Sequence, residues 1–455
     1  MEEIKTSNTQ TVSTSSSFSK IVLEDSNLLS KYFECLDMET LLTVCQPINK
    51  LWKKTVLLPA SWKENYIESS KFNKFFRQIK EEREENEHKE LTLKDIFNFY
   101  PVFQSINRWK WDSLVTFKTI NFRLQNQLQS NLTHLILPFI PYTFNQTALK
   151  EFAECFPQAK FAPKLIHLEM QYDYIMPYLE TLKKEDFPAL KELVILLRQT
   201  ISQINLNYDF TNWSLFENIE SLQLQNKILT TRECKEMSKG FPHLTYLQVE
   251  RFLYVKDILE FINLPNLVVE CHYTIVINKE RYYKKKIEEE LNCLSLFQKE
   301  NNHELSLKIK IVEEYRAYSY FLTPRDCLDF IFSYLAEHLH CAISWLQIEE
   351  WKESTDFSLV KNIEKYFVKF INLLYLEVEC DSQTFVISLE EAKELWIKLD
   401  TLPQIHTWMI KRVYMADKID HKLFTESSTC FSKTPNKFMK RKNYHSFSNA
   451  CLKEL

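Results

Sequence analysis

Large apolar side chains are scarce over residues 1–20, MEEIKTSNTQTVSTSSSFSK, and then arrive at helical spacing. The Ser/Thr-rich start cannot offset its own ordering entropy and reads as a disordered tail. Residues 21–68 carry three short helical stripes. Leu28, Leu29, Phe33 and Leu36 form the first, behind the candidate N-caps Asp25 and Ser26. Leu41, Leu42 and Cys45 form the second, Pro47 opens a third with Ile48, Leu51 and Trp52, and Trp62 closes the segment. So short a unit cannot bury all of these side chains within itself, so some are expected to meet another surface. Residues 69–130 read as a charged excursion, KEEREENEHKE at its centre, followed by a helical join around Trp109, Trp111 and Phe117.

From 131 to 416 the period changes. The pattern L-x-x-L-x-L, with Ile, Met, Val or Trp in some places, starts at Leu132, Leu165, Leu190, Ile219, Leu244, Leu264, Ile343, Leu373 and Ile405. Proline precedes or opens several copies, as in FAPKL, FPALKEL, FPHLTYL, LPNLVV and LPQIHTW. Each copy predicts a short strand with alternate apolar residues turned inward, followed by a returning helix. The stretch near 270–342 reads as an irregular insert. It holds a helical pattern, KERYYKKKIEEELNCLSLF, and an alternating one, ELSLKIKIVEEY, the candidate for a degenerate copy starting near Leu305. Residues 417–455 are polar and basic and read as a disordered tail.

Two resemblances follow from these residues. In order, Leu28-Leu29, Phe33, Leu36-Asp37, Leu41-Leu42, Ile48-Asn49-Lys50, Trp52 and Trp62 resemble an F-box. The Pro of its opening Leu-Pro is absent, and the step from Leu42 to Ile48 is one residue longer than usual. The later pattern resembles leucine-rich repeats, without the Asn or Cys eight residues after the first Leu; Ile140, Asp173 and Lys227 are among the residues found there. The expected fold class is therefore α/β: a small N-terminal three-helix F-box followed by an irregular leucine-rich-repeat solenoid.

The combination resembles the substrate-recognition subunits of Skp-cullin-F-box ubiquitin ligases. That resemblance implies a non-catalytic receptor without cofactor, and as partners a Skp-family adaptor, a cullin reached through it, and a protein substrate. It implies adaptor contacts among Leu28, Leu29, Phe33, Leu36, Leu41, Leu42, Ile48, Trp52 and Trp62. Two other classes stay open: a repeat scaffold or cytoskeletal interaction protein with no ligase link, and a relic of an enzyme.

Composition narrows the chemistry. Gly240 is the only glycine in 455 residues, where ordinary usage gives about 32. Dinucleotide fingerprints, phosphate loops and the hydrolase elbow all need clustered glycines, so they are excluded. Fifty-seven Lys+Arg against 61 Asp+Glu advertise neither nucleic acid nor membrane as a partner. The start lacks a signal-peptide pattern and no apolar run is long enough to span a bilayer, so the expected location is cytoplasmic, with KFMKRK as a weak nuclear-import candidate. Eleven scattered cysteines without C-x-x-C predict neither disulfides nor zinc. On the predicted strands the inner polar face collects Glu169, Glu192, Glu250, Glu270, Glu349, Glu377 and Glu379, with Trp345 and Tyr375 among them and Lys411 the single cation. Such a face suits a basic protein segment.

Overall fold

Strands with apolar residues at every second position bury one face and leave the other to water. In this protein that alternation builds parallel sheet. The computed structural model describes residues 29, 33, 41, 51–52, 67–68, 74, 77, 81, 107–110, 132–137, 162–171, 185–197, 217–277, 283–313, 324–351, 358–380, 386–387, 389–402, 404–415, 429–432 and 445–447. The chain divides into two compact units, Met1–Arg198 and Gln199–Leu455, and the boundary falls inside the stretch expected to form one array.

The first unit contains strands β1 (Ile67–Glu68), β2 (Arg108–Lys110), β3 (His134–Ile136), β4 (His167–Gln171) and β5 (Glu192–Leu196), each parallel to the next in chain order. In the second, β6 (Ser221–Leu229), β7 (Tyr246–Phe252), β8 (Val268–Ile277), β9 (Glu304–Glu313), β10 (Ile343–Trp351) and β11 (Tyr375–Cys380) are again parallel neighbours in order. After the short β12 (Val386–Ile387), β13 (Thr407–Met415) pairs with β11 on its main stretch and with β12 at its end. Helices α1 (Thr231–Gly240), α2 (Tyr283–Lys299), α3 (Pro324–His338), α4 (Leu359–Lys365) and α5 (Leu389–Asp400) alternate with these strands, which makes the protein α/β.

All three apolar positions of all nine repeat copies are buried, the most exposed being Leu264 at 7%. In the second unit helices cover that apolar side. Tyr273 of β8 donates its hydroxyl to Glu290 of α2 at 2.8 Å, and Trp396 of α5 meets Trp408 of β13 edge-on at 4.5 Å.

The proline signals become one recurring turn. Leu165 N–H donates to Ala162 O, Leu190 N–H to Phe187 O and Leu244 N–H to Phe241 O, each at 3.2 Å, with Pro163, Pro188 and Pro242 at the second position of the turn. Proline suits that position because its φ is already set. The same closure without proline joins Leu373 N–H to Phe370 O. Helix α1 shows how the other end is controlled. Thr230 caps it, Glu233 reaches back to the Thr230 N–H at 2.8 Å, and the other Glu233 oxygen pairs with buried Lys227 at 2.6 Å.

Three expectations change. The copy starting at Leu264 is two residues out of register: Leu247 stands opposite Val269, so Val269 and Cys271 continue the inward row. A strand with apolar residues at 267, 269, 271, 273 and 275 offers several equivalent alignments, and periodicity alone cannot choose among them. The stretch near 270–342 is not an insert in the second unit's sheet, because β9 lies between β8 and β10 and pairs with both; it includes the copy expected near Leu305. The basic tail holds β14 (Thr429–Ser432), antiparallel to β13, and β15 (His445–Phe447), parallel to β14. Backbone pairing at the edge left by β13 needs no apolar run, so polarity alone misjudged this segment.

Turns in so glycine-poor a chain fall to asparagine. Among the described non-glycine residues, positive φ occurs at Asn226, Asn266, Asn301 and Asn302, while Gly240 closes α1 without it. Asn301 also donates its side-chain amide to Ile262 O at 2.7 Å, and Asn372 makes the matching bond to Cys341 O at 2.7 Å. These bonds stitch one turn to the preceding one. Asn301→Gly loses the side-chain bond alone and is expected to cost about 1 kcal/mol. Asn301→Ala adds the left-handed penalty and costs about 1 kcal/mol more. Urea denaturation compares them, and equal losses would contradict this account of the turn.

Candidate functional site

The F-box-like segment is described at a few positions. Leu29, Phe33 and Leu41 are buried and Trp52 is half-buried beside Leu51. Phe33 and Trp52 meet edge-on with ring centroids 5.3 Å apart, so the first and third apolar stripes pack together. Leu28, Leu36, Leu42, Ile48 and Trp62 lie outside the described residues.

The second candidate surface is the sheet face turned away from the helices. In the first unit, Arg108, His134, His167 and Glu192 stand opposite one another across β2, β3, β4 and β5. The two imidazoles stack at 5.6 Å, and His167 Nδ1 donates to the Glu192 carboxylate at 2.8 Å. Glu169, half-buried, sits two residues further along β4.

In the second unit this face is a lattice of charge and aromatic groups. Glu270 of β8 accepts from the Tyr246 hydroxyl at 2.9 Å, from Gln248 Nε2 at 3.3 Å and from Lys308 Nζ at 2.5 Å. Lys310 pairs with Glu349 at 2.7 Å. Glu377, only 7% exposed, accepts from the Tyr375 hydroxyl at 2.6 Å and from Gln347 Nε2 at 3.3 Å. The Trp345 and Tyr375 rings stack at 5.4 Å and 7° from parallel. Glu250 and Glu379 are half-buried, and Lys411 stands opposite Glu379 in register.

The predicted residues of each unit therefore do share a face, but Lys411 is not its single cation. Lys308 and Lys310 were missed because β9 was assigned to an insert. Their signal was present all along: both lysines alternate with Leu307, Ile309 and Ile311, which puts them on the polar side of a strand.

Titration follows from these contacts. Burial alone would raise the Glu270 carboxyl, but hydrogen bonds from Lys308 and Tyr246 outweigh it and hold the group below its ordinary value. Burial and the bond to Glu270 push the Tyr246 phenol up. Burial, then Lys308, lowers the His272 imidazole. On the helix side, burial pushes the Cys271 thiol up to about 12 and raises Cys234 as well, the reverse of an activated nucleophile.

No group of three or more metal-ligating side chains occurs among the described residues, and no described helix is long and apolar enough to cross a membrane. No protein-family model matches the chain, and no curated protein matches it.

Because the folded Glu270 holds its proton less tightly than the unfolded chain does, its contribution to stability is complete above the unfolded carboxyl value. It is lost as pH falls through the lower folded value. Glu270→Gln is expected to lower the urea midpoint near pH 7 and to flatten the decline between about pH 6 and about pH 3. Acid limbs that run parallel in the two proteins would refute this assignment.

Proposed function

We propose that this protein is the substrate-recognition subunit of a Skp-cullin-F-box type ubiquitin ligase. The N-terminal helical segment docks the adaptor, and the repeats, stacked as a leucine-rich-repeat solenoid, present the open sheet face to a protein substrate. The observation that carries the reading is the edge-on contact of Phe33 with Trp52, which joins two of the three stripes whose order resembles an F-box. Buried Leu29 and Leu41 support it, since a compact helical unit needs interior anchors as well as contact residues. Parallel strands in chain order, with helices on one side in the second unit, support the repeat half of the reading.

The division of labour is physical. Leu29, Phe33 and Leu41 hold the unit together, while half-buried Trp52 keeps surface available to a partner. Adaptor binding therefore depends on Trp52 and on the apolar positions beside the buried ones, Leu28 and Leu42 foremost. The receptor contributes no bond-making group; it holds the substrate near an enzyme brought by the cullin.

Capture of a purified Skp-family adaptor by the full chain tests the proposal. Wild type retains adaptor, and Leu28→Ala combined with Trp52→Ala lowers retention at least about tenfold, as loss of two interface anchors requires. Circular dichroism confirms that the variant remains folded. No retention by wild type, or equal retention by both, refutes the receptor reading.

A further inference from the structure

We propose that the Trp345–Tyr375 pair is the docking point for an arginine side chain carried by an extended segment of a protein partner. This rests on the reading that the open face receives the substrate, and it names the chemistry that the face selects.

One transverse row crosses this face. His272, Lys308, Trp345, Tyr375 and Thr407 stand opposite one another on five successive parallel neighbours, β8, β9, β10, β11 and β13. The two aromatic residues occupy adjacent places in that row, half-buried, with their rings stacked and 7° from parallel. Two rigid stacked rings on the strand face turned away from the described helices offer apolar area at little cost in side-chain entropy. The Tyr375 hydroxyl is already committed to Glu377, which fixes the ring before any ligand arrives.

Charge decides which ligand suits that platform. Lys308, the neighbour of Trp345 on the β9 side, points its ammonium to Glu270 and so is committed away from the rings. The next row places Gln347 with Glu377 beside the pair, and Glu349 and Glu379 lie further along β10 and β11. The described face of the second unit carries Glu250, Glu270, Glu304, Glu349, Glu377 and Glu379 against Lys308 and Lys310, with exposed Arg251 next to Glu250 on β7. Carboxylates stay in excess even when Lys411 is added. Phosphate or an acidic peptide is repelled by this balance, and a cation is attracted.

Between the two natural cations, arginine fits better. A guanidinium is planar and weakly hydrated, so it can lie against an aromatic ring while its edge reaches carboxylates. Lysine offers a compact, strongly hydrated charge that gains less from an aromatic surface.

Fluorescence anisotropy with the full chain and labelled tetra-arginine, tetra-lysine and tetra-glutamate peptides in Gly-Ser flanks tests this. The arginine peptide binds more tightly than the lysine peptide, and the glutamate peptide does not bind. Trp345→Leu and Tyr375→Leu each weaken arginine-peptide binding about tenfold, whereas Trp345→Phe and Tyr375→Phe keep it within about twofold. Hydrogen exchange of the unsubstituted chain provides a readout that needs no variant: bound arginine peptide slows exchange in β10 and β11. Absent binding, equal affinity for lysine and arginine, unchanged affinity in the Leu variants, or slowing confined to other strands overturns the proposal. Adaptor capture is scored separately. Adaptor binding without arginine binding refutes this inference alone, and arginine binding without adaptor binding refutes the ligase reading alone.

Discussion

Strand starts in both units repeat one hydrogen-bonding arrangement: two successive amides share a carbonyl of the strand before. Asn107 O takes the amides of Thr133 and His134, Thr133 O those of Ile166 and His167, and Ile166 O those of Lys191 and Glu192. In the second unit Glu220 O takes Thr245 and Tyr246, and Leu374 O takes His406 and Thr407. A slip of one residue would turn an apolar row to water and a charged row into the core. The doubled bond opposes that slip where pairing begins. Contacts across the open face depend on register in the same way, since Lys308 reaches Glu270 and Trp345 meets Tyr375 only in the observed pairing.

The apolar side of the sheet was legible in the sequence because burial there depends on alternation, a local property. The three pattern positions of each of the nine copies lie inside for that reason. Pairing partners were less legible. The VVECHYTIVI strand is apolar at so many alternate positions that Leu267 and Val269 are equally good candidates for the place opposite Leu247, and only the chain's geometry selects Val269. The same difficulty hid Lys308 and Lys310: their alternation was visible, but their membership in the sheet was not. The N-terminal stripes gave the correct spacing for burial of Leu29, Phe33 and Leu41, while nothing in spacing separates an interior anchor from a docking residue.

Near-absence of glycine leaves the fold with a specific problem, because a chain must somewhere take positive φ. Asparagine solves it, since its short amide compensates locally for the steric cost. At Asn301 the same side chain both tolerates the turn and bonds to Ile262 O of the turn before. The Asn expected after each repeat strand is missing, yet Asn301 and Asn372 provide comparable stitching ahead of β9 and β11. Successive turns are therefore tied together wherever a side-chain amide reaches a carbonyl of the neighbouring turn.

On the proposed reading, mixed charge on the open face matters more for recognition than for stability. Lys308–Glu270 and Lys310–Glu349 are partly exposed pairs, and pairs of that kind contribute only about 0–1 kcal/mol each. Their larger effect is to hold side chains in place and to remove those lysines from competition for an incoming ligand. On the proposed reading, a partner cation approaching β10 and β11 meets two fixed rings beside carboxylates, with Lys308 and Lys310 already engaged. Ordering cost has thus been met in the folded chain, which is the condition under which a small aromatic platform discriminates between cations of equal charge.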